Sequence, residues 1–285
     1  MRISCCVFGF LLLLVFQACT TNDLDNLQPS YVVEGWIESD GYPMVKLTRS
    51  VPVTTEYQST ESLDKYVARW ERITVSDGEK TVTLTGSMDR RYTPPYIYTT
   101  TDMKGVAGRS YTMTVHGDGR FPDITATTTI PEPQAIDSFR IARVSSSDTL
   151  CQLFAYMSIP KEPVTYYKLF AQTDTNSQDF LSSYLGVFRS DMIPADGCIA
   201  VHRGKTNLVK EYTPYFVLGD TVTVRFARID SMAYEYWRKY EDMLMLSRNP
   251  LFPATVSMPH SINDAYGFWQ GMGTRYYMVP IRLSK

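Results

Sequence analysis

The residues with the widest chemical reach in this chain are three histidines and five cysteines. His116, His202 and His260 lie far apart, and no His-x-x-x-His or Cys-x-x-Cys spacing occurs. A protein zinc site is usually announced by such a pair, because a short spacing holds two ligands on one side of a helix or turn. No metal and no other cofactor is expected. Nucleophilic and phosphate-binding signatures are also missing: there is no Gly-x-Ser-x-Gly elbow, no Walker loop and no dinucleotide fingerprint. Gly117-Asp118-Gly119 looks like a fragment of a calcium loop but lacks the alternating acidic ligands, so it reads as a hairpin turn. Paired carboxylates for glycoside hydrolysis need a defined separation in space. Glu34 and Asp40 are read instead as a strand residue and a turn residue. The chain is therefore expected not to be an enzyme, and no catalytic residue is assigned.

The cysteines carry more information. Ile3 to Phe16 run without a charged residue after Arg2. Fourteen helical residues span about 21 Å, short of the ~30 Å hydrocarbon core, so residues 1–18 read as a secretory signal rather than a spanning helix. The stretch ends Phe16-Gln17-Ala18-Cys19 and turns polar at once. That junction resembles a bacterial lipobox, which implies cleavage before Cys19 and acylation of its thiol. The plainer alternative is ordinary cleavage nearby with Cys19 left free. An exposed N-terminal thiol in an oxidising compartment is reactive unless capped, which favours acylation. At about 0.8 kcal/mol per buried CH₂, two or three acyl chains hold a folded domain on a bilayer.

Cys5 and Cys6 would leave with the signal, so Cys151 and Cys198 remain as a candidate disulfide. Closing the 47 residues between them stabilises a fold by ~4 kcal/mol in the chain-entropy model. Two separate reduced thiols, each a small hydrophobe, are the equal alternative. Charge narrows the partners. With 28 Lys+Arg against 30 Asp+Glu the formal charge is −2, which lacks the clustered positive excess that nucleic acid requires.

The elements that must position any site are mostly strands. The chain is 44% hydrophobic and 20% charged, enough to build a core, and its 20 tyrosines favour strands. Residues 19–30 are polar and read as a lipidated tether. Strand signals follow at Tyr31–Ile37 and Met44–Arg49, with Asp40-Gly41 as the turn between them. Ile73–Ser76 and Lys80–Thr85 flank Asp77-Gly78, whose residues suit the φ > 0 conformations of a tight hairpin. Tyr92–Thr101, Tyr111–Val115 and Ile124–Ile130 complete the first set, with Pro94-Pro95 implying an irregular start or an edge. Pro131-Glu132-Pro133 marks a boundary. Beyond it, Ile136–Val144, Leu150–Ile159, Tyr166–Thr173 and Thr221–Phe226 read as strands, the middle two as a central pair.

The expected fold is mainly β: two tandem immunoglobulin/fibronectin-like sandwiches, residues 31–132 and 133–285. One amphipathic helix, about 231–246, belongs to the second. Ser231 or Asp230 can cap it. Met232, Ala233, Tyr236, Trp237, Tyr240, Met243 and Leu244 form its apolar stripe, expected to cover the open face or end of a sheet. Residues 249–281 read as a loop leading into a last strand, Tyr276–Leu283. Long irregular segments are often functional, and aromatic rings suit sugars or partner loops. Tyr266, Phe268 and Trp269 are therefore the candidate interaction loop, although most aromatics of such a chain are expected to be buried.

Several segments point further. "YVVEGWIESDGYPMVKLTRSVP" (Tyr31–Pro52), "ITVSDGEKTVTL" (Ile73–Leu84), "MKGVAGRSYTMTV" (Met103–Val115), "TTTIPEPQAIDSF" (Thr127–Phe139) and "GDTVTVRFARIDSMAYEYWRKYE" (Gly219–Glu241) occur in this order, followed by the Gly-rich aromatic Gly267–Gly273. In this the chain resembles the Bacteroidetes lipoproteins that carry the "domain of unknown function 4249". The resemblance covers nearly the whole mature chain and rests on fold-building turns and strands. It implies an outer-membrane lipoprotein, in either leaflet, often accompanied by a TonB-dependent receptor and with no established activity. The expectation is a non-enzymatic accessory or docking component of an uptake system, anchored to the lipid bilayer by its acyl chains. A glycan-binding module using aromatic loops is the alternative, and a hydrolase ranks third.

Overall fold

A computed structural model describes residues 30–50, 64–117, 119, 122–173, 181–204, 212–246, 258–259 and 262–283. The signal, Cys19, the tether, Asp118 and His260 lie outside these. Fifteen strands and one long helix make up the described fold. In chain order they are β1 (Tyr31–Glu38), β2 (Met44–Arg49), β3 (Ile73–Ser76), β4 (Thr81–Met88), β5 (Tyr96–Thr99), β6 (Ser110–Val115), β7 (Ile124–Thr129), β8 (Ser138–Arg143), β9 (Leu150–Tyr156), β10 (Tyr166–Thr173), β11 (Leu181–Arg189), β12 (Cys198–Val201), β13 (Phe216–Val217), β14 (Thr221–Ile229), α1 (Ser231–Leu246) and β15 (Tyr266–Pro280).

Alternation of apolar and polar residues lays down most of these strands. In β7, Ile124, Ala126 and Thr128 are buried while the threonines between them face water. The Asp77-Gly78 hairpin joins β3 to β4 as expected, with Gly78 at φ +90 and the Asp77 carboxylate accepting from Lys80 N at 2.8 Å. Strand β5 starts irregularly after Pro95, but it runs between β2 and β4 rather than at an edge.

The strands form an eleven-stranded sheet, in the order β11-β10-β14-β15-β1-β2-β5-β4-β3-β6-β7, and a four-stranded sheet in which β9 pairs β8 on one edge and β12 and β13 on the other. Leu150–Ile159 and Tyr166–Thr173 thus do not pair. β9 and β10 belong to different sheets and face one another across a core containing Leu153, Ala155, Leu169 and Ala171. Sequence alone could not separate pairing from facing, since both require alternating apolar strands.

The larger sheet curls around the core of the first half, the first core in chain order, built from β1 to β7 and containing Val33, Ile37, Leu47, Ile73, Tyr98 and Met113, with Trp269 entering it from β15. The curl brings β7 back against β15: Gly271 N donates to Thr128 Oγ1 at 2.7 Å, and a Cβ on Gly273 would lie 2.2 Å from Pro131 O. Only glycine permits that approach.

The last strand does not stay within the second half. Residues 266–272 of β15 run parallel to β1, and residues 273–280 run antiparallel to β14. The boundary at Pro131–Pro133 therefore separates two groups of strands that share one strand. The segment read as a loop up to Tyr276 is strand from Tyr266 onward; its Gly-rich composition had masked the period-2 alternation.

Helix α1 covers the face of β10 and β14 opposite the four-stranded sheet, as the stripe implied. Asp230 caps it, accepting from Ala233 N at 2.7 Å. The buried stripe is rotated from the expected one. Ala233, Tyr234, Glu241 and Leu244 face in, while Met232 is exposed. Glu241 turns inward because a lysine waits beneath it.

Candidate functional site

Where β15 changes partners, a cleft of about 270 Å³ opens on the face away from the first core. β1 supplies Glu34, Trp36 and Glu38, the residues that alternate with its core-facing Val33 and Ile37. β15 supplies Phe268, Gln270, Met272 and Tyr276 by the same rule. Arg225 from β14, Phe170 from β10, Trp237 from α1, and Tyr42, Met44, Lys46 and Tyr92 complete the wall.

The polar groups at this site are committed to one another. The buried Arg225 donates from Nη1 to Glu38 Oε1 at 2.8 Å, and Tyr276 Oη donates to Glu38 Oε2 at 2.5 Å. The Arg225 guanidinium also stacks 3.8 Å from the centre of the Phe170 ring. Burial first, and then the adjacent carboxylate, hold the Tyr276 phenol well above its usual pKa, against the pull of Arg225. Nearer the mouth, Lys46 pairs with Glu34. Trp237 Nε1 donates to Gln270 Oε1 at 3.0 Å. Aromatic rings frame these pairs: Trp36 lies 6.1 Å from Tyr92, and Phe268 lies 4.4 Å from Tyr236 and 5.8 Å from Trp237.

A second buried ion pair lies under α1, next to this wall. Lys168 is fully buried and donates from Nζ to Glu241 Oε1 at 2.7 Å. The same oxygen accepts from Gly186 N at 3.0 Å and Val187 N at 3.2 Å. Burial pulls the Lys168 pKa down, opposed by Glu241.

The three candidate loop residues part company. Phe268 lines the cleft. Trp269 points the other way into the first core, where Nε1 donates to Tyr111 O at 2.9 Å. Tyr266 is 56% exposed at the far end of β15. Consecutive strand residues face opposite sides, so no single loop surface can present them together.

Cys151 and Cys198 are free thiols. Cys198 stands opposite Tyr156, five residues along β9 from Cys151, an offset of ~17 Å in extended chain. A bridge needs Cα atoms within about 7 Å, so the candidate disulfide gives way to the alternative of two separate thiols.

His116 meets Thr74 Oγ1 at 3.0 Å, and His202 Nδ1 meets Tyr184 O at 2.9 Å. Among the described residues no group of three or more His, Cys, Asp or Glu is placed to hold a metal. Glu34 and Asp40 sit in a strand and a turn, Asp40 with φ +61.

Sequence reading missed Glu38, Arg225, Lys168, Trp36 and Gln270. The available signal was charge on the outward side of otherwise apolar strands: Glu34-x-Trp36-x-Glu38 in β1, and Arg225 between Val224 and Phe226 in β14.

Over residues 20–261 the chain matches the family described as Domain of unknown function (DUF4249). It belongs to that family. No curated protein matches it. The match to DUF4249 covers β1 through α1 and ends before β15, so the strand that carries Phe268, Gln270 and Tyr276 into the cleft lies beyond it.

Proposed function

We propose that this DUF4249 chain is a non-enzymatic accessory component of an outer-membrane uptake or transport system, anchored by acyl chains on Cys19. The cleft at β1, β15 and α1 is where it holds a ligand or docks a partner. The observation that carries this is the mutual commitment of the cleft's polar groups. A general acid, base or nucleophile must be free to change its bonding during reaction. Here Glu38 is held by Arg225 and Tyr276, Glu34 by Lys46, and Gln270 by Trp237. Such a set presents fixed hydrogen-bonding groups and suits recognition.

Gentle-detergent extraction from native membranes tests the docking role. Co-purification with a TonB-dependent receptor is expected, and recovery as a lone monomer overturns it. Two tandem immunoglobulin/fibronectin-like sandwiches are the finer reading of the fold, and the strand shared by both halves speaks against their independence. Limited proteolysis at Pro131–Pro133 tests it: tandem domains separate, whereas halves joined by β15 stay together.

A glycan-binding role is the second reading. It is favoured by the aromatic frame of Trp36, Tyr92 and Phe268 around charges that cancel in pairs, which suits an uncharged, hydroxyl-rich ring. A glycan array probed with the protein tests it, and no binding at millimolar sugar removes it.

A further inference from the structure

We infer that the end of the sheet where β1 begins faces the bilayer, and that Trp70 and Tyr266 seat there among the lipid headgroups. This rests on the acyl anchor proposed above and adds to it the orientation of the folded body.

Three segments distant in sequence meet at that end. The described chain starts at Ser30, whose N–H donates to Ser50 Oγ at 3.0 Å and whose carbonyl accepts from Ser50 N at 2.7 Å. Tyr31 Oη donates to Glu71 Oε1 at 2.8 Å, which places the Glu71 turn against the first residues of β1. In the parallel ladder Val32 is level with Tyr266, so β15 also starts here. This is the corner from which the chain runs toward Cys19. The eleven residues 19–29 can reach no more than about 40 Å, which keeps this corner close to any membrane that holds the acyl chains.

The corner displays what a bilayer interface selects. Trp70 is 91% exposed, and Tyr266 is 56% exposed. Amphipathic aromatic rings concentrate at the headgroup level, and lysine and arginine beside them meet anionic lipid. Arg49, Lys65, Arg69 and Arg72 lie in the same stretch of chain, Arg69 paired with Asp64 and Arg49 3.6 Å from Glu71, while Asp264 lies beside Ser30 and Tyr266.

Trp70 is also held out rather than merely left out. Its backbone is left-handed at φ +70, a conformation that a bulky residue rarely adopts without enforcement. The enforcement comes from Tyr98, a fully buried residue whose hydroxyl donates to Ala68 O at 2.8 Å and accepts from Glu71 N at 3.1 Å. Ala68 N is in turn tied to Leu47 O at 3.0 Å. The two ends of the turn are clamped to the core, and the indole between them projects into solvent.

The test uses the lipidated mature protein reconstituted in vesicles of phosphatidylethanolamine with one quarter phosphatidylglycerol, with and without bromine on the acyl chains. Intact mass first establishes that Cys19 carries lipid. Bromine quenches tryptophan only at close range, and Trp36, Trp237 and Trp269 line the cleft or the cores. Quenching is therefore expected in the native chain and largely lost in Trp70→Phe, whose unfolding midpoint should be unchanged. Lipidated protein that shows no quenching, or equal quenching with Trp70→Phe, overturns this inference and leaves the anchor standing. A bare Cys19 overturns the anchor, and the orientation with it.

Discussion

Two buried ion pairs lie a few residues apart in this fold, and their surroundings give them different work. Lys168–Glu241 is sealed beneath α1, where one carboxylate oxygen serves the ammonium and two backbone N–H groups of β11. Arg225–Glu38 joins β14 to β1 at the wall of the cleft, where the second carboxylate oxygen accepts from a tyrosine whose residue is half exposed. Both pairs take charge out of water, and neither is strong evidence of net stabilisation by itself. The enclosed pair fastens a helix to a sheet. The pair on the cleft fixes the orientation of groups that an incoming molecule can reach.

That contrast predicts an order of effects. Lys168→Met should be the most damaging, costing ~3–5 kcal/mol, because it strands a buried carboxylate with no cation. Urea unfolding measures it, and a loss near zero would show that the site admits water. Adding Glu241→Leu should restore only part of the loss, since Gly186 and Val187 N–H then lack an acceptor at about 1–3 kcal/mol each.

Arg225→Met should cost less, about 2 kcal/mol, because Glu38 keeps the Tyr276 hydroxyl and borders the cleft. Here the companion change Glu38→Leu should bring stability back near the native value. Equal behaviour of the two double variants would erase the distinction. Tyr276→Phe should be smaller still, ~1–2 kcal/mol, as the loss of one hydrogen bond to a charged group.

The tyrosines sharpen the picture by pH. Burial is the first cause that pushes Tyr31 and Tyr98 up to about 12 from an ordinary 10.0. The folded chain then keeps protons that the unfolded chain releases. Their contribution is fully present below pH 10 and is lost as pH rises toward 12. Unfolding followed by tyrosine absorbance should therefore coincide with phenolate formation in that window. Phenols of the core that ionise near pH 10 without unfolding would contradict it.

Much of the fold was legible because β-strands with one wet face print their register in the sequence. The Asp77-Gly78 hairpin, the Thr-rich β7 and the helix after Asp230 could be read directly. The cleft could not. Its residues come from β1, β10, β14, β15 and α1, and what joins them is the partner change in β15, a property of strand order rather than of any local pattern. Glycines at 267, 271 and 273 made β15 look like a loop, whereas Gly271 and Gly273 serve close packing against β7 and its exit. Glu241 is a case of the opposite kind. On the helix surface it reads as solvated, and only Lys168 on another element draws it inward.

The strand shared by both halves has a consequence for how the chain reaches its native state. β1 emerges from the ribosome long before its parallel neighbour β15, which lies at the other end of the described strands. Until then β1 keeps one hydrogen-bonding edge open, and the curled sheet lacks Trp269 from its core. Such distant pairing slows folding and lengthens the time during which a sticky edge is exposed. A truncation before Tyr266 would therefore dismantle both halves at once, since it removes the neighbour of β1 and of β14 together.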